Sequence, residues 1–185
     1  MPAFSKSVCV FCGSRPGSDP AMMQAAIDTG RLLAQRDWRL VYGAGDIGLM
    51  GAVARATQEA GGKTFGVIPT HLMTNEVARE DLDALVITET MHERKKVMFA
   101  NSHAALVLPG GAGTLDEFFE VLTWAQIGLH KKPVILLDQG GFWAPLLALI
   151  DHVIDQGFAA ESLRDLMTVA NSVTEVEAIL AAELD

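Results

Sequence analysis

The sequence predicts a doubly wound α/β protein of Rossmann-like type: a parallel sheet of about seven strands with helices on both faces. Three observations carry this. Short β-rich runs alternate with helix-like segments along the chain. The runs are unbroken apolar stretches, as expected of parallel strands buried on both faces. Glycine-rich loops follow several of them directly. Such alternation folds into one sheet with right-handed crossovers.

The strands are expected at 7–12, 38–42, 64–68, 84–88, 104–108 and 133–137, with a weaker one at 167–170. Helices are expected at 19–35, 47–59, 91–102, 115–127, 143–155 and 174–184. In the fourth, Leu115, Phe118, Phe119, Leu122 and Ala125 recur at spacings of three and four, which places them on one helical face. No repeat or long linker interrupts the pattern. The 185 residues suit a single domain, 1–185. Ligands of such sheets bind outside the carboxyl ends of the strands, so the loops after the strands are the places to search.

Composition narrows the function. Half of the residues are apolar, which is ample for a core, and the formal net charge of −9 argues against a nucleic-acid partner. The longest apolar runs, such as 142–150, are far too short to span a membrane. The N-terminal run ends at Gly13 and lacks the long apolar region of a signal peptide, so a cytoplasmic location is expected. Cys9 and Cys12 spell C-x-x-C, but inside a strand-like run. Positions three apart on a strand face opposite ways, so two small core residues are expected rather than a redox pair. The five histidines show no metal-binding spacing, and no metal site is expected.

Three strands end in suggestive loops: the first gives Cys12-Gly13-Ser14-Arg15-Pro16-Gly17, and two further glycine loops carry the chemistry. The first of these two, after the second strand, contains G-x-G-x-x-G at Gly43, Gly45 and Gly48. This pattern can bind a dinucleotide. It follows the second strand rather than the first, however. The next strand ends Val67-Ile68-Pro69-Thr70, without the acidic residue that holds a ribose in NAD sites. Gly43 and Gly45 are therefore read as a turn lining a nucleotide pocket, and NAD binding as the weaker reading.

The second loop runs P-G-G-A-G-T-L-D-E from Pro109. Gly110, Gly111 and Gly113 let backbone N–H groups approach an anion, and Thr114 is expected to open a helix whose first turn attracts phosphate. No Walker lysine follows. Thr114 and Glu117 also spell a capping box, T-x-x-E. Spacing alone leaves Glu117 open between a cap and a catalytic carboxylate. Upstream, Arg94, Lys95 and Lys96 form a cationic cluster, with Met91, Arg94, Lys95 and Met98 on one helical face. It is either a solvated patch or the far side of an anion site.

Together, V-Y-G-A-G-D-I-G-L-M-G at 41–51, M-H-E-R-K at 91–95, P-G-G-A-G-T-L-D-E at 109–117 and T-W-A-Q-I-G at 123–128 resemble the Lonely Guy (LOG) family. The similarity runs from the first strand to about Gly157. These cytokinin-activating phosphoribohydrolases were long misnamed lysine decarboxylases. They cleave the N-glycosidic bond of N6-modified adenosine 5′-monophosphates, and often of AMP, to free base and ribose 5-phosphate. The resemblance implies Arg94 and Glu117 as the catalytic pair. It places substrate contacts at Ser14, Glu76, Met91, Lys95 and Thr123, and along Gly110, Gly111, Ala112, Gly113, Thr114, Leu115 and Asp116. It implies a homodimer and no cofactor.

Two departures stand out. Ala44 occupies a position where the family commonly has glycine, and the segment 75–82, which would cover the base, matches only at Glu76. The alternative is a non-catalytic nucleotide or cofactor carrier of the same fold, similar to molybdenum-cofactor carriers.

Overall fold

In the computed structural model, which describes residues 6–73 and 81–184, strands and helices alternate as the pattern requires. The order is β1 (Lys6–Phe11), α1 (Pro20–Gln35), β2 (Trp38–Tyr42), α2 (Gly48–Glu59), β3 (Thr64–Pro69), β4 (Ala84–Thr88), α3 (Met91–Ala100) and β5 (Ala104–Val107). The chain continues with α4 (Ala112–Gln126), β6 (Val134–Leu137), α5 (Ala144–Asp155), β7 (Thr168–Ala170) and α6 (Val173–Leu184). The seven strands form one parallel sheet in the order β4-β3-β2-β1-β5-β6-β7. The doubly wound reading holds, including the weak final strand. From β1 the chain winds outward through β2, β3 and β4, then returns to the centre at β5 and winds the other way. The β1–β5 junction is the switch point, where such sheets open a crevice for ligands.

Side chains alternate along each strand, so the sheet divides the core in two. Val8, Val10 and Cys12 pack with α1, α2 and α6, through residues such as Leu33, Val53 and Leu180. Cys9 and Phe11 pack on the opposite face with α3, α4 and α5, through Met98, Phe118 and Ile150. Each face buries a continuous apolar layer, and this is the main favourable term in folding.

Local chemistry sets the helix starts. The Asp19 carboxylate accepts the Ala21 N–H, and Pro20 occupies the first turn of α1, where its missing N–H costs nothing. At α3, Thr90 Oγ1 accepts the Glu93 N–H while the Glu93 carboxylate accepts the Thr90 N–H. This is a complete capping box, and it fixes the helix that carries Arg94.

The start of α4 corrects an expectation. It begins at Ala112, two residues before Thr114, with Gly111 as its N-cap in an extended conformation and no side chain capping it. Thr114 and Glu117 lie inside the helix, so the T-x-x-E signature there forms no capping box.

The cysteines behave as strand residues on opposite faces of the sheet. Both are buried free thiols. Burial, reinforced by the Glu117 charge, pushes both thiols well above the ordinary cysteine range. A raised pKa keeps the unreactive thiol form to higher pH. The folded protein should therefore resist a thiol reagent such as DTNB at pH 8, with both cysteines reacting only after denaturation. Labelling of the native protein would contradict this burial.

Candidate functional site

Main-chain hydrogen bonds join three loops at the switch point. The Gly13 N–H, just past β1, donates to the Pro109 carbonyl past β5 at 3.0 Å. The Gly13 carbonyl in turn accepts the N–H groups of Leu49 and Met50 at 3.0 and 3.3 Å, in the first turn of α2. Gly48 meets the same junction with φ +58, and a Cβ there would overlap the Ser14 and Arg15 backbone. Glycine at position 48 thus answers both the turn and the close approach.

Around this junction opens a cavity of about 560 Å³, within the range of small-molecule sites. The loops after β1 and β5 converge on it. Residues Ser14, Met91, Arg94, Gly110, Gly111, Ala112, Gly113, Thr114 and Glu117, all expected at the site, line this one cavity. Leu115, Asp116, Lys95, Thr123, Gly43 and Gly45 lie off its wall. Glu76 falls outside the described residues. The loop 12–17, singled out after the first strand, also lines the cavity; sequence reasoning missed Asp19 beyond that loop, Met22 on α1, Leu49 and Met50 on α2, Leu72 after β3 and Phe142 after β6. Most of these sit at or near the carboxyl ends of strands, so the general rule for ligand position in such sheets was the signal that could have found them.

One wall of the cavity is the first turn of α4. The free N–H groups of a helix start and its dipole favour a phosphate. Two kinds of glycine meet there. A Cβ at Gly110 would overlap Thr114 Oγ1, so Gly110 serves the packing of the buried Thr114. Cβ atoms at Gly111 and Gly113 would meet no protein atom within 4 Å. Nothing in the fold demands glycine at those two wall positions, which leaves their bare backbone open to a ligand.

Arg94 is 4% exposed and closes the other side. Its Nε donates to the Val67 carbonyl at 3.1 Å and its NH2 donates to the Gly43 carbonyl at 2.6 Å. The guanidinium is thus docked on the ends of β3 and β2 while still facing the cavity. A Cβ at Gly43 would overlap that guanidinium. Gly43 therefore acts behind the cavity wall, by leaving room for Arg94. Ala44 beside it is fully buried with φ 60, a left-handed conformation that costs a non-glycine residue about 1–2 kcal/mol.

The cavity is also chemically divided. Thr114, Arg94, Glu117 and the α4 backbone supply its polar lining. Met22, Leu49, Met50, Leu72, Met91 and Phe142 supply an apolar wall. Among the described residues, no three His, Cys, Asp or Glu side chains gather as a metal site. No helix among them is long and apolar enough to cross a membrane.

Fold and site define a doubly wound α/β protein with a glycine-walled cavity at its switch point. The chain belongs to the Lonely Guy family. Residues 50–180 match the family model described as "Possible lysine decarboxylase". The chain is 44% identical over 171 residues to the cytokinin riboside 5′-monophosphate phosphoribohydrolase LOG of Oryza sativa subsp. japonica, covering 92% of this chain and 71% of that protein. It is 43% identical over 171 residues to the phosphoribohydrolase LOG7 of Arabidopsis thaliana, covering 92% and 79%. Among solved structures, the molybdenum cofactor binding protein from Rippkaea orientalis superposes with a TM-score of 0.73 at 21% identity, over 96% of each chain. That likeness extends to the fold alone.

Two glycine substitutions separate ligand space from packing space. Gly113→Ala should keep the wild-type melting temperature yet weaken AMP binding at least about tenfold, whereas Gly110→Ala should lower the melting temperature. Calorimetric titration with AMP and a thermal melt on each variant check this. Gly43→Ala should fold yet lose activity at least about tenfold, because the methyl displaces the Arg94 guanidinium. Steady-state kinetics on that variant supply the measurement.

Proposed function

We propose that this protein hydrolyses the N-glycosidic bond of adenosine 5′-monophosphates, N6-modified ones and AMP among them, to free base and ribose 5-phosphate. One observation carries the reading: Arg94 and Glu117 face the same cavity as the bare-backbone wall of α4. The 44% identity to a phosphoribohydrolase of known name supports it.

The proposed chemistry follows from the geometry. The substrate phosphate sits on the first turn of α4, at Gly111 to Thr114. Anchoring it there positions the ribose remotely from the reacting bond. Cleavage develops positive charge on the ribose ring, as in glycoside hydrolysis. The Glu117 carboxylate, one turn beyond Thr114 on the same helix, stabilises that cation and orients the attacking water. Arg94, preset by two main-chain carbonyls, stabilises negative charge on the phosphate or the departing base without reorganising. The apolar wall of methionines, Leu72 and Phe142 takes the base and suits an apolar N6 substituent.

We further place the enzyme in the cytoplasm as a homodimer and a single domain. Phe119, Thr123 and Ile127 are exposed along the outer face of α4, with Leu129 just beyond. A second copy covering this face would also bring a partner to Thr123, the resemblance-implied contact that lies off the cavity. Light scattering of the purified protein checks the dimer.

Incubation with AMP and with isopentenyladenosine 5′-monophosphate, followed by chromatography, should show free base. Adenosine, which lacks the phosphate anchor, should react far more slowly. Glu117→Gln should cut turnover by about 10²-fold or more while leaving the melting temperature near wild type; Arg94→Ala should cut it as much and also lower the melting temperature, because it strands the Val67 and Gly43 carbonyls. Binding of both nucleotides without release of base would instead establish a carrier.

A further inference from the structure

Lys95 follows Arg94 directly, yet its side chain goes elsewhere. Its ammonium lies 2.9 Å from Asp116 Oδ2 and 2.8 Å from Glu120 Oε2, and the side chain is only 7% exposed. Both carboxylates belong to α4. They flank Glu117, one immediately before it and the other three residues after. The ammonium does not line the cavity.

One turn further along both helices, the Phe99 and Trp124 rings meet edge to face with centroids 5.1 Å apart. The two contacts form a pair of pegs between α3 and α4: an ionic one level with Arg94 and Glu117, and an aromatic one below it. Burial pushes the Lys95 ammonium towards neutrality, but the bonds to Glu120 and Asp116 outweigh that and raise its pKa, so it stays charged. One cation against two carboxylates leaves a net negative cluster. Such a cluster does not attract a phosphate, and reaching one would mean breaking both pairs.

We propose that Lys95 is a positioning residue: by clamping Asp116 and Glu120 it sets the placement of Arg94 on α3 relative to Glu117 on α4, and it does not touch the substrate. This rests on the hydrolase reading for its catalytic consequence, and on the helix contact alone for its mechanical one. The family resemblance implies the opposite role, a direct substrate contact. The two roles differ in what Glu120 should do. If Lys95 touched the substrate, neutralising Glu120 would free the ammonium and preserve or improve binding. If Lys95 is a clamp, neutralising Glu120 should do the same damage as removing Lys95.

The experiment compares wild type, Lys95→Met, Glu120→Gln, the double variant and Lys95→Arg in release of adenine from AMP. Hydrogen exchange of the α3 amides is measured on the same samples. Both single variants should lower kcat by about 10- to 100-fold, since small misplacements of reacting groups carry such costs. KM should stay within about threefold, because the phosphate wall is intact. The double variant should be no worse than either single one, as for residues acting as one unit. Lys95→Arg should recover most of the activity, and α3 exchange should quicken in both single variants. Glu120→Gln is nearly isosteric, so it keeps the test valid if Lys95→Met fails to fold. Any other kinetic pattern overturns the clamp, above all a raised KM in Lys95→Met beside normal kinetics in Glu120→Gln. A wild type that releases no base defeats the hydrolase reading instead. The clamp is then judged on exchange, and unchanged α3 exchange in Glu120→Gln overturns it.

Discussion

The site depends on the main-chain junction at Gly13. Its N–H is committed to the Pro109 carbonyl and its carbonyl to the first turn of α2. These bonds hold together the ends of β1 and β5 and the start of α2 at the point where the winding of the sheet reverses. Backbone groups buried this way cannot be left unpaired without a penalty of about 1–3 kcal/mol each. These bonds restrain the loops where they leave the strands. The cavity is a gap between rigid ends, and the α4 amides are aimed before any ligand arrives. Such preorganisation is what electrostatic stabilisation requires.

Around that junction each proposed catalytic group is set by a different device. Arg94 rides on a helix whose start is fixed by a capping box, and its guanidinium docks on two carbonyls from the ends of β2 and β3. Glu117 takes its place from α4, whose start is fixed by backbone alone at Gly111. The Lys95 cluster and the Phe99–Trp124 pair then tie the two helices to each other. Neighbouring residues do separate jobs: Arg94 faces the cavity while Lys95 faces α4, a division that successive positions on a helix make possible because they point about 100° apart.

The parallel, doubly wound class, its seven strands and the cavity position at their carboxyl ends were legible in the sequence because they follow from strong, local signals. Apolar runs mark parallel strands, and glycine after a strand marks a close backbone approach. The start of α4 was not legible. The same T-x-x-E signature occurs at Thr90 to Glu93 and at Thr114 to Glu117, and only the first forms a cap. The second fails because the helix has already begun at Ala112, behind an extended Gly111, and glycine advertises no side-chain bond. The apolar wall was also hidden. Met22, Leu72 and Phe142 come from three elements far apart in sequence, and only the sheet order brings them together.

The position of Glu117 shows why the failed cap matters chemically. A carboxylate closed onto the Thr114 amide would be tied to the first turn of the helix. It would also occupy one of the N–H groups that a phosphate needs. With the helix begun at Ala112, the amides of the first turn and the carboxylate of the second belong to different turns of one rigid element. Phosphate and carboxylate can then act on one substrate molecule at once, about one helical pitch of 5.4 Å apart along the axis. In the proposed reaction that spacing holds the phosphate at one end with the sugar carbon beside the carboxylate. Starting the helix two residues earlier thus turns a local folding signal into a two-point site.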